Sequence, residues 1–496
     1  MNRKSRPVEK VTPIFGRGDL PRDWDLVPIG DICSPVEKVT PKDAPEVEFD
    51  YIDISGIDNE SFRIGETKRS AGRDAPSRAR QQVRSGDIVF STVRTYLKNL
   101  ALIPDSLDGQ IASTGFCVIR AAQPEYSKYL YYYVQYEPFL NELAKFQRGT
   151  SYPAVRDGDV FAQYVPVPPR EQAVRIVAEI EKQFSCLDEA VANLKRVKAN
   201  LKRYKAAVLK AAVEGHLVET EAELARREVR NYETGAQLLR RTLETRRRQW
   251  NGRGKYKEPA APDTTDLPTL PNGWVWTRID AIAALKGGIT VDSKRKDPRA
   301  RSVPYLRVAN VQRGYLDLSE VKFIDAPESD IEELRLKRGD ILFNEGGDRG
   351  KLGRGWVWEG QLADCIHQNH VFRARLFLND LSPKLVSWWG NSFGKDYFFR
   401  EGKQTTNLAS INLTKLSAFP VPLPPSVEQH RIIAEVDRCL SVIHELEATV
   451  DTNLIRADRF RQSILSKAFS GGLNGGSTDS KPDDLLAYNT LKETTG

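Results

Sequence analysis

The apolar positions of this chain repeat every seven residues in two separate stretches. A seven-residue period places apolar side chains along one side of a helix and is typical of coiled coils. Neither apolar seam can remain exposed to water, so the simplest arrangement packs one helix against the other. The seam residues are Ile180, Leu187, Leu194, Leu201 and Val208 in the first stretch, and Val436, Ile443, Val450, Ala457 and Ile464 in the second.

The two stretches are copies of one another. At an offset of 256 residues, 165–217 aligns with 421–473 without a gap, and 16 of the 53 positions are identical. Prolines open both copies and disfavour helix, so each helix is expected to begin just after them. Gly215 and Gly471 supply the expected ends. About 45 residues at 1.5 Å each predict a rod of roughly 65 Å.

Short runs of β-branched and aromatic residues precede each long helix, and these runs are duplicated as well. Bounded by Gly, Asp and Pro, they predict strands, and aromatic-rich helical stretches follow them at 126–146 and 383–399. The predicted fold class is α+β, with two α+β domains separated by two long helices. The matched segments are Leu20–Trp24 with Leu270–Trp274, Tyr51–Ser55 with Tyr305–Ala309, Gly86–Ser91 with Gly339–Asn344, and the strands expected at 116–120 and 371–378.

Changes in composition divide the chain into seven segments. A charged extension at 219–248, where the first helix is expected to resume, has no counterpart after the second helix. The polar composition of the C-terminal tail predicts disorder. The segments are a flexible N-terminal segment at 1–19, a first α+β domain at 20–168, a central helical region with its charged extension at 169–257, a linker at 258–271, a second α+β domain at 272–425, a distal helix at 426–473 and a disordered tail at 474–496.

Length, charge and cysteine usage narrow the class of protein. A chain of 496 residues is too long for a single core. The net charge is +7, and residues 193–257 hold 18 Lys and Arg against 7 Glu. This basic region is either a solvated helix face or a surface near a polyanion such as DNA. Five scattered cysteines, a polar start and no long apolar run predict a reduced cytoplasmic protein that does not cross a membrane.

Sequence motifs for catalysis are missing. The chain has no Gly-x-x-x-x-Gly-Lys-[Ser/Thr] phosphate loop, no Gly-x-Gly-x-x-Gly motif and no segment of the kind that holds a flipped base in amino-methyltransferases. His367 and His370 are three residues apart, but the glutamate of the zinc-protease motif is absent, which favours hydrogen bonding over metal binding. The sequence therefore predicts a non-catalytic chain with no metal and no cofactor of its own.

Six polar loops carry side chains that suit DNA, three in each α+β domain. Arg and Lys can pair with guanine edges or phosphates, Gln and Asn with adenine edges, and glycine lets the backbone approach a phosphate. Such loops are common on any surface, but here they recur at corresponding places. The candidate contacts are Ser77, Arg78, Arg80, Thr92, Arg94, Tyr96, Lys98, Arg148, Thr150, Ser151 and Tyr152 in the first domain, and Glu345, Gly347, Asp348, Arg349, Lys351, Arg354, His367, Gln368, Asn369, His370, Lys403, Gln404, Thr405, Thr406 and Asn407 in the second.

From residue 20 to about 473, the chain resembles the specificity (S) subunits of type I restriction-modification enzymes. The marks of the resemblance are duplicated. They are Pro-[Val/Leu]-Pro-Pro followed by Glu-Gln, Arg-Ile-[Val/Ile]-Ala-Glu, the closing Gly-x-Leu, and Gly-Asp-Ile-[Val/Leu]-Phe inside each domain. The segments 93–98 and 345–354 are also similar to those of target-recognition domains in this family.

The resemblance implies a division of labour among several chains. Each α+β domain would be a target-recognition domain that reads one half of a split site in double-stranded DNA, and the long helices would pair as an antiparallel spacer. Two methyltransferase (M) subunits would methylate adenine with S-adenosylmethionine. Two restriction (R) subunits, joined through the M subunits, would add cleavage driven by ATP with Mg²⁺. The S chain itself would do no chemistry.

Three other interpretations remain open from the residues. The chain could be the specificity chain of another restriction enzyme type with the same subunit design. It could be a coiled-coil scaffold whose domains bind protein, which predicts no salt-dependent affinity for duplex DNA. It could be a self-contained nuclease or methylase with degenerate motifs, which predicts an activity dependent on a metal or cofactor from this chain alone.

Overall fold

The computed structural model describes residues 11–251, 254–290, 298–347, 352–401, 403–404 and 409–473. The chain forms two compact units, Met1–Lys195 with Val450–Gly496 and Arg196–Thr449. Each of the two long helices therefore contributes one part to each unit. The units are called the first and the second unit below.

The first unit contains twelve described strands and three short α-helices before the first long helix, besides several 3-10 turns. Its elements are β1 (Asp25–Pro28), β2 (Cys33–Ser34), β3 (Glu48–Ile52), β4 (Ile57–Asp58), β5 (Arg63–Ile64), β6 (Lys68–Ala71), β7 (Ala79–Gln82), β8 (Ile88–Ser91), β9 (Leu100–Leu102), β10 (Ile111–Ser113), β11 (Phe116–Ala121), β12 (Tyr164–Val167), α1 (Ser127–Tyr133), α2 (Glu137–Ala144), α3 (Asp157–Phe161) and the long helix α4 (Arg170–Glu214).

The second unit repeats this order after two additional helices, and the second long helix follows its last strand. Its elements are α5 (Glu221–Glu228), α6 (Gly235–Arg248), β13 (Val275–Arg278), α7 (Ile279–Ile282), β14 (Ala283–Lys286), β15 (Arg301–Leu306), β16 (Lys322–Ala326), α8 (Glu328–Leu334), β17 (Ile341–Asn344), β18 (Gly346–Gly347), β19 (Gly355–Val357), β20 (Ile366–His367), β21 (Val371–Leu376), α9 (Pro383–Ser392), α10 (Gly394–Glu401), β22 (Lys403–Gln404), β23 (Ala409–Ser410), α11 (Leu413–Ser417), β24 (Pro420–Leu423) and the long helix α12 (Ser426–Phe469).

Sheet topology confirms the predicted duplication of an α+β domain. The four-stranded order β2-β11-β8-β9 corresponds to β14-β21-β17-β19, and the antiparallel pair β1-β12 corresponds to β13-β24. In a further sheet of each unit two strands run parallel, with Tyr51 beside Ile111 in one and Tyr305 beside Ile366 in the other. The units differ at the margins, because β7 joins this sheet only in the first and the β18-β23-β22 sheet is described only in the second.

The Gly-Asp motif of each domain supplies a buried aspartate that pairs with an arginine. The carboxylate of Asp87 accepts hydrogen bonds from the Arg84 backbone N–H at 2.8 Å and from the Arg120 guanidinium at 2.7 Å. Asp340 does the same in the second unit, with Lys337 N–H and Arg375 both at 2.7 Å. The glycine before each aspartate has a positive φ, which suits a residue without Cβ. The motif therefore serves the fold.

The long helices match the predicted bounds and seam. Helix α4 has 45 residues and α12 has 44. Seven of the ten predicted seam residues are buried, and Leu187, Leu194 and Ile464 are half-buried.

The two long helices pack against each other in both units. In the first unit, the Arg461 guanidinium lies 4.3 Å from the centre of the Phe184 ring and pairs with Asp188. In the second unit, Val208 of α4 shares one core with Val436 of α12. Late residues of α12 thus pack beside early residues of α4 and the reverse, which confirms an antiparallel pair.

Truncating one seam side chain should show how much this packing contributes to stability. Ile180 is fully buried, whereas Val174 on the same helix is 51% exposed. Ile180→Ala is expected to lower the free energy of unfolding by about 2 to 5 kcal/mol, since it removes buried methyl groups and leaves a cavity. Val174→Ala is the matched control and should change it by about 0.5 kcal/mol or less. Urea unfolding of both variants measures this, and equal losses would contradict a buried seam.

Two predicted segments differ from the structure. The charged extension does not continue the first helix, because α4 ends before Gly215 at φ +75° and two separately capped helices, α5 and α6, follow. These helices pack within the second unit, where Leu238 is fully buried and the buried Glu221 pairs with Arg431 at 2.5 Å.

The N-terminal segment also differs from its prediction as flexible. From residue 11 onward it is ordered against the first unit, because Phe15 is buried and stacks on Tyr136. Residues 1–10 and the tail predicted to be disordered at 474–496 lie outside the described residues.

Candidate nucleic-acid interface

One residue at the end of strand β8 joins the predicted DNA-contact segments of the first unit. The Thr92 N–H donates to the Gly115 carbonyl at 3.0 Å, and the Thr92 carbonyl accepts from Val155 N–H at 2.9 Å. These bonds hold the segment at 92–98 beside the segment that carries Arg148–Tyr152. Next to Gly115, Thr114 N–H donates to the Arg78 carbonyl at 2.8 Å. The three segments therefore converge on one junction.

The second unit has the same junction at the equivalent strand end. Glu345 N–H donates to the His370 carbonyl at 2.9 Å, and the Glu345 carbonyl accepts from Ile411 N–H at 2.8 Å. Strand β23, just before Ile411, pairs with both β18 and β22. The segments that begin at Glu345, His367 and Lys403 are thus brought together as well. That these converged segments contact DNA stays a prediction.

Arg94 is the most constrained basic side chain in the first junction. Its backbone is left-handed, with φ +50°, and its N–H donates to the Pro153 carbonyl at 2.7 Å. Its guanidinium lies 4.6 Å from the centre of the Tyr152 ring, a cation–π contact, and donates to the Ser151 carbonyl at 3.4 Å. The exposed ring of Tyr152 therefore presents Arg94 at the surface.

Apart from Thr92, the other predicted contacts of the first unit are exposed or half-buried. Arg148 pairs with Asp159 at 2.7 Å, Lys98 with Glu137 at 3.4 Å, and Arg80 donates to the Thr40 hydroxyl at 3.1 Å. The Asp159 and Lys98 side chains of these two ion pairs are only 16% and 26% exposed. The exposed members of the predicted set are Ser77, Arg78, Tyr96, Arg148, Thr150, Ser151 and Tyr152.

Two predicted contact residues are buried, which corrects their assignment as side chains that face DNA. The Thr92 hydroxyl donates to the Gly115 carbonyl at 3.0 Å inside the junction. His367 is fully buried, and its Nδ1 lies 2.6 Å from the Val371 carbonyl, so Nδ1 carries the hydrogen and donates. Both side chains position loops and do not offer their polar atoms to a ligand.

The burial of His367 also makes stability depend on pH. Desolvation lowers the pKa of its imidazole from 6.5 to about 4. The His367 imidazole binds a proton more readily in the unfolded chain than in the folded one. The stability that the neutral imidazole contributes is therefore fully present above pH 6.5 and is lost as pH falls toward 4. When the pH is lowered from 7 to 5, the free energy of unfolding should fall by about 2 kcal/mol less in His367→Gln than in the unmodified chain. Urea unfolding at both pH values measures this, and parallel pH dependence would contradict it.

The second junction carries an acid–imidazole pair at its surface. The Nδ1 of His370 lies 2.5 Å from Oε2 of Glu345. The half-exposed Gln368 and Asn369 are fixed through their backbones, which donate to the carbonyls of Leu306 and Ile289, both at 2.9 Å. Arg354 donates to the Gln312 side-chain oxygen at 2.8 Å. Asp348, Arg349, Lys351, Thr405, Thr406 and Asn407 lie outside the described residues, and Gly347, Lys403 and Gln404 are placed only by their strand pairing.

The sequence prediction missed one loop beside the second junction. Val311 and Leu316 pair as an antiparallel bridge, and the turn between them presents Tyr315, which is 57% exposed. Gln312 of this turn is the residue that Arg354 contacts. Its signal in the sequence was a polar turn around Gly314, which has φ +85°. The turn adds an exposed aromatic side chain and an amide to the candidate surface.

The described part of the chain holds neither a cluster of metal-binding side chains nor a helix that could span a membrane. Across it, no three His, Cys, Asp or Glu side chains come together as a metal site. Nor does any of its helices combine the length and the apolar character that crossing a membrane requires. All five cysteines are free thiols.

Comparison with known proteins gives one consistent class. No protein-family model matches the chain. The chain is 21% identical to the type I restriction enzyme EcoKI specificity subunit of Escherichia coli strain K12 over 486 residues, which cover 95% of this chain and 94% of that protein. It is also 21% identical to the StySPI specificity subunit of Salmonella potsdam over 494 residues, covering 96% and 95%.

Solved structures agree with these relatives. A chain from a structure on complex assembly and conformational transition of the type I R-M system superposes with a TM-score of 0.66 at 29% identity, covering 91% of this chain and 98% of that one. The HsdS subunit from Thermoanaerobacter tengcongensis gives a TM-score of 0.52 at 28% identity with the same coverage.

Two α+β domains of shared topology, each with a three-segment junction and each leading into one of two paired long helices, define a duplicated two-domain subunit. The chain belongs to the specificity subunits of type I restriction-modification enzymes. It is a non-catalytic component, and the enzymatic subunits of such a complex are other chains.

Proposed function

We propose that each junction reads one half of a bipartite site in double-stranded DNA, so that the chain sets where a type I restriction-modification complex acts. The observation that carries this proposal is the repetition of one junction in two domains, with the same backbone hydrogen bonds around Thr92 and Glu345. A duplicated framework with different side chains is what two readers of different half-sites require, since phosphate contacts position a protein and base contacts specify the sequence.

The side chains at the two junctions support reading of different half-sites. The first presents Arg94 stacked on Tyr152, and the second presents Glu345 paired with His370. A guanidinium offers only donors and a carboxylate only acceptors. The two junctions therefore favour opposite hydrogen-bonding edges of the bases.

The proposal includes the partners and cofactors that this class of subunit requires. Two methyltransferase subunits would bind one copy of the chain, and two restriction subunits would join through them. S-adenosylmethionine, ATP and Mg²⁺ would be held by those partners, and the complex would work in the cytoplasm. The two long helices are copies of one another in sequence, which suits two copies of one partner.

Co-expression with the methyltransferase chain of the neighbouring reading frame tests this function. The experiment maps methylated adenines in plasmid DNA with and without the present chain. Methylation at a two-part sequence with a fixed gap, dependent on this chain, is the expected result. If the chains do not associate and no methylation occurs, the proposal fails and a scaffold whose domains bind protein becomes the better interpretation.

A further inference from the structure

Glu345 is an acidic residue at the centre of a surface proposed to bind a polyanion. Its backbone is fixed on both sides, by the His370 carbonyl at 2.9 Å and by Ile411 N–H at 2.8 Å. Its side chain is 27% exposed and reaches the surface beside His370, whose side chain is 55% exposed. A carboxylate at this place opposes phosphate binding, so a role in positioning on the DNA backbone does not explain it.

The hydrogen-bonding capacity of the pair is restricted to acceptors when His370 is neutral. A carboxylate only accepts, so Nδ1 of His370 must carry the hydrogen in its 2.5 Å contact with Oε2 of Glu345. That assignment leaves Nε2 of the neutral imidazole with a lone pair. Among the residues that the structure describes, Oε1 of Glu345 has no hydrogen-bond donor. Both atoms can therefore accept a hydrogen bond from a ligand that replaces water at this partly exposed pair.

Only two bases offer such a donor in the major groove of DNA. Cytosine presents its N4 amino group and adenine its N6 amino group, whereas guanine presents two acceptors and thymine an acceptor and a methyl group. We propose that Glu345, held by His370, accepts a hydrogen bond from the exocyclic amino group of a cytosine or adenine and so selects that base at one position of its half-site. This inference rests on the proposed function, because it assigns one specificity determinant to the second junction.

The equivalent position in the first unit explains why the effect should be confined to one half-site. There the junction residue is Thr92, which is buried and whose hydroxyl donates to the Gly115 carbonyl. A buried side chain cannot form a hydrogen bond with the edge of a base. Glu345, by contrast, extends beyond the junction to the surface.

Glu345→Gln is the sharpest test, because glutamine has nearly the same shape and adds a donor. The carboxamide can pair with acceptor edges, and the loss of the negative charge removes repulsion from phosphates. The rejected bases should gain affinity while the preferred base changes little, so discrimination at one position should fall by about 5- to 100-fold. Glu359→Gln is the matched control, since Glu359 is an exposed glutamate of the same unit that lies outside the junction.

The experiment uses the full chain in complex with its methyltransferase partner and duplexes in which each base of the second half-site is varied in turn. Loss of a cytosine or adenine preference at one position in Glu345→Gln, with the first half-site read normally and Glu359→Gln unchanged, is the expected result. Unchanged discrimination, or an equal loss of affinity for every duplex, would overturn the assignment. If the unmodified complex shows no sequence preference, the proposed function fails, which is a different outcome.

Discussion

Asp87→Ala should destabilise the first unit by about 3 to 5 kcal/mol, because it leaves the buried charge of Arg120 without a carboxylate to neutralise it. The side chains of Asp87 and Arg120 are only 3% and 12% exposed, and two nitrogens of the guanidinium bond the carboxylate, at 2.9 and 2.7 Å. The same carboxylate accepts a hydrogen bond from the Arg84 N–H. Its removal therefore also takes away a bond that holds the turn between Arg84 and Asp87. Urea unfolding followed by aromatic fluorescence measures the change.

The control for Asp87→Ala is an exposed ion pair of the same unit. Glu48 and Arg69 are 59% and 68% exposed, and Glu48→Ala should cost about 1 kcal/mol or less. Adding Arg120→Met to Asp87→Ala should recover part of the loss, since an apolar side chain leaves no unpaired charge. Equal costs for Asp87→Ala and Glu48→Ala would contradict a structural role for the Gly-Asp motif.

The features that the sequence predicts well are those with a periodic cause. A seven-residue apolar repeat predicts two helices packed along an apolar seam. The seam residues Ile180, Val436 and Ile443 are buried, as such packing requires. Glycine and proline mark the helix ends because they act through local backbone geometry. Because the domain is duplicated, each predicted strand is supported by a matching stretch in the other domain. The matched stretches that begin at Tyr51 and Tyr305 both form parallel strand pairs in the structure.

The features that the sequence does not predict depend on long-range contacts. Thr92 and Glu345 occupy the same junction position, yet the hydroxyl turns inward and the carboxylate outward. His367 and His370 are equally polar in the sequence, but a strand of the sheet buries the first and leaves the second at the surface. The sequence after the first long helix predicts a continuation of that helix. The neighbouring residues do not reveal that Leu238 packs into the core of the second unit.

Arg94→Ala should weaken binding to one half-site by about 1 to 3 kcal/mol if this arginine reads a base, which corresponds to about 5- to 150-fold. Its left-handed backbone and its stacking on Tyr152 fix the guanidinium before DNA arrives, so little side-chain entropy is lost on binding. Competition binding of the complex with the methyltransferase chain, using duplexes altered in either half-site, measures the effect.

Arg94→Lys separates base reading from phosphate binding, because lysine keeps the charge but loses the planar fork that pairs with guanine. If Arg94 reads a base, the lysine variant should discriminate against wrong sequences nearly as poorly as the alanine variant. Arg73→Ala is the control for lost charge alone, since Arg73 is an exposed arginine of the same unit that pairs with Glu46. Uniform weakening on all duplexes that lysine restores would make Arg94 a phosphate contact. In that case the specificity of the first half-site would have to come from other side chains around the Thr92 junction.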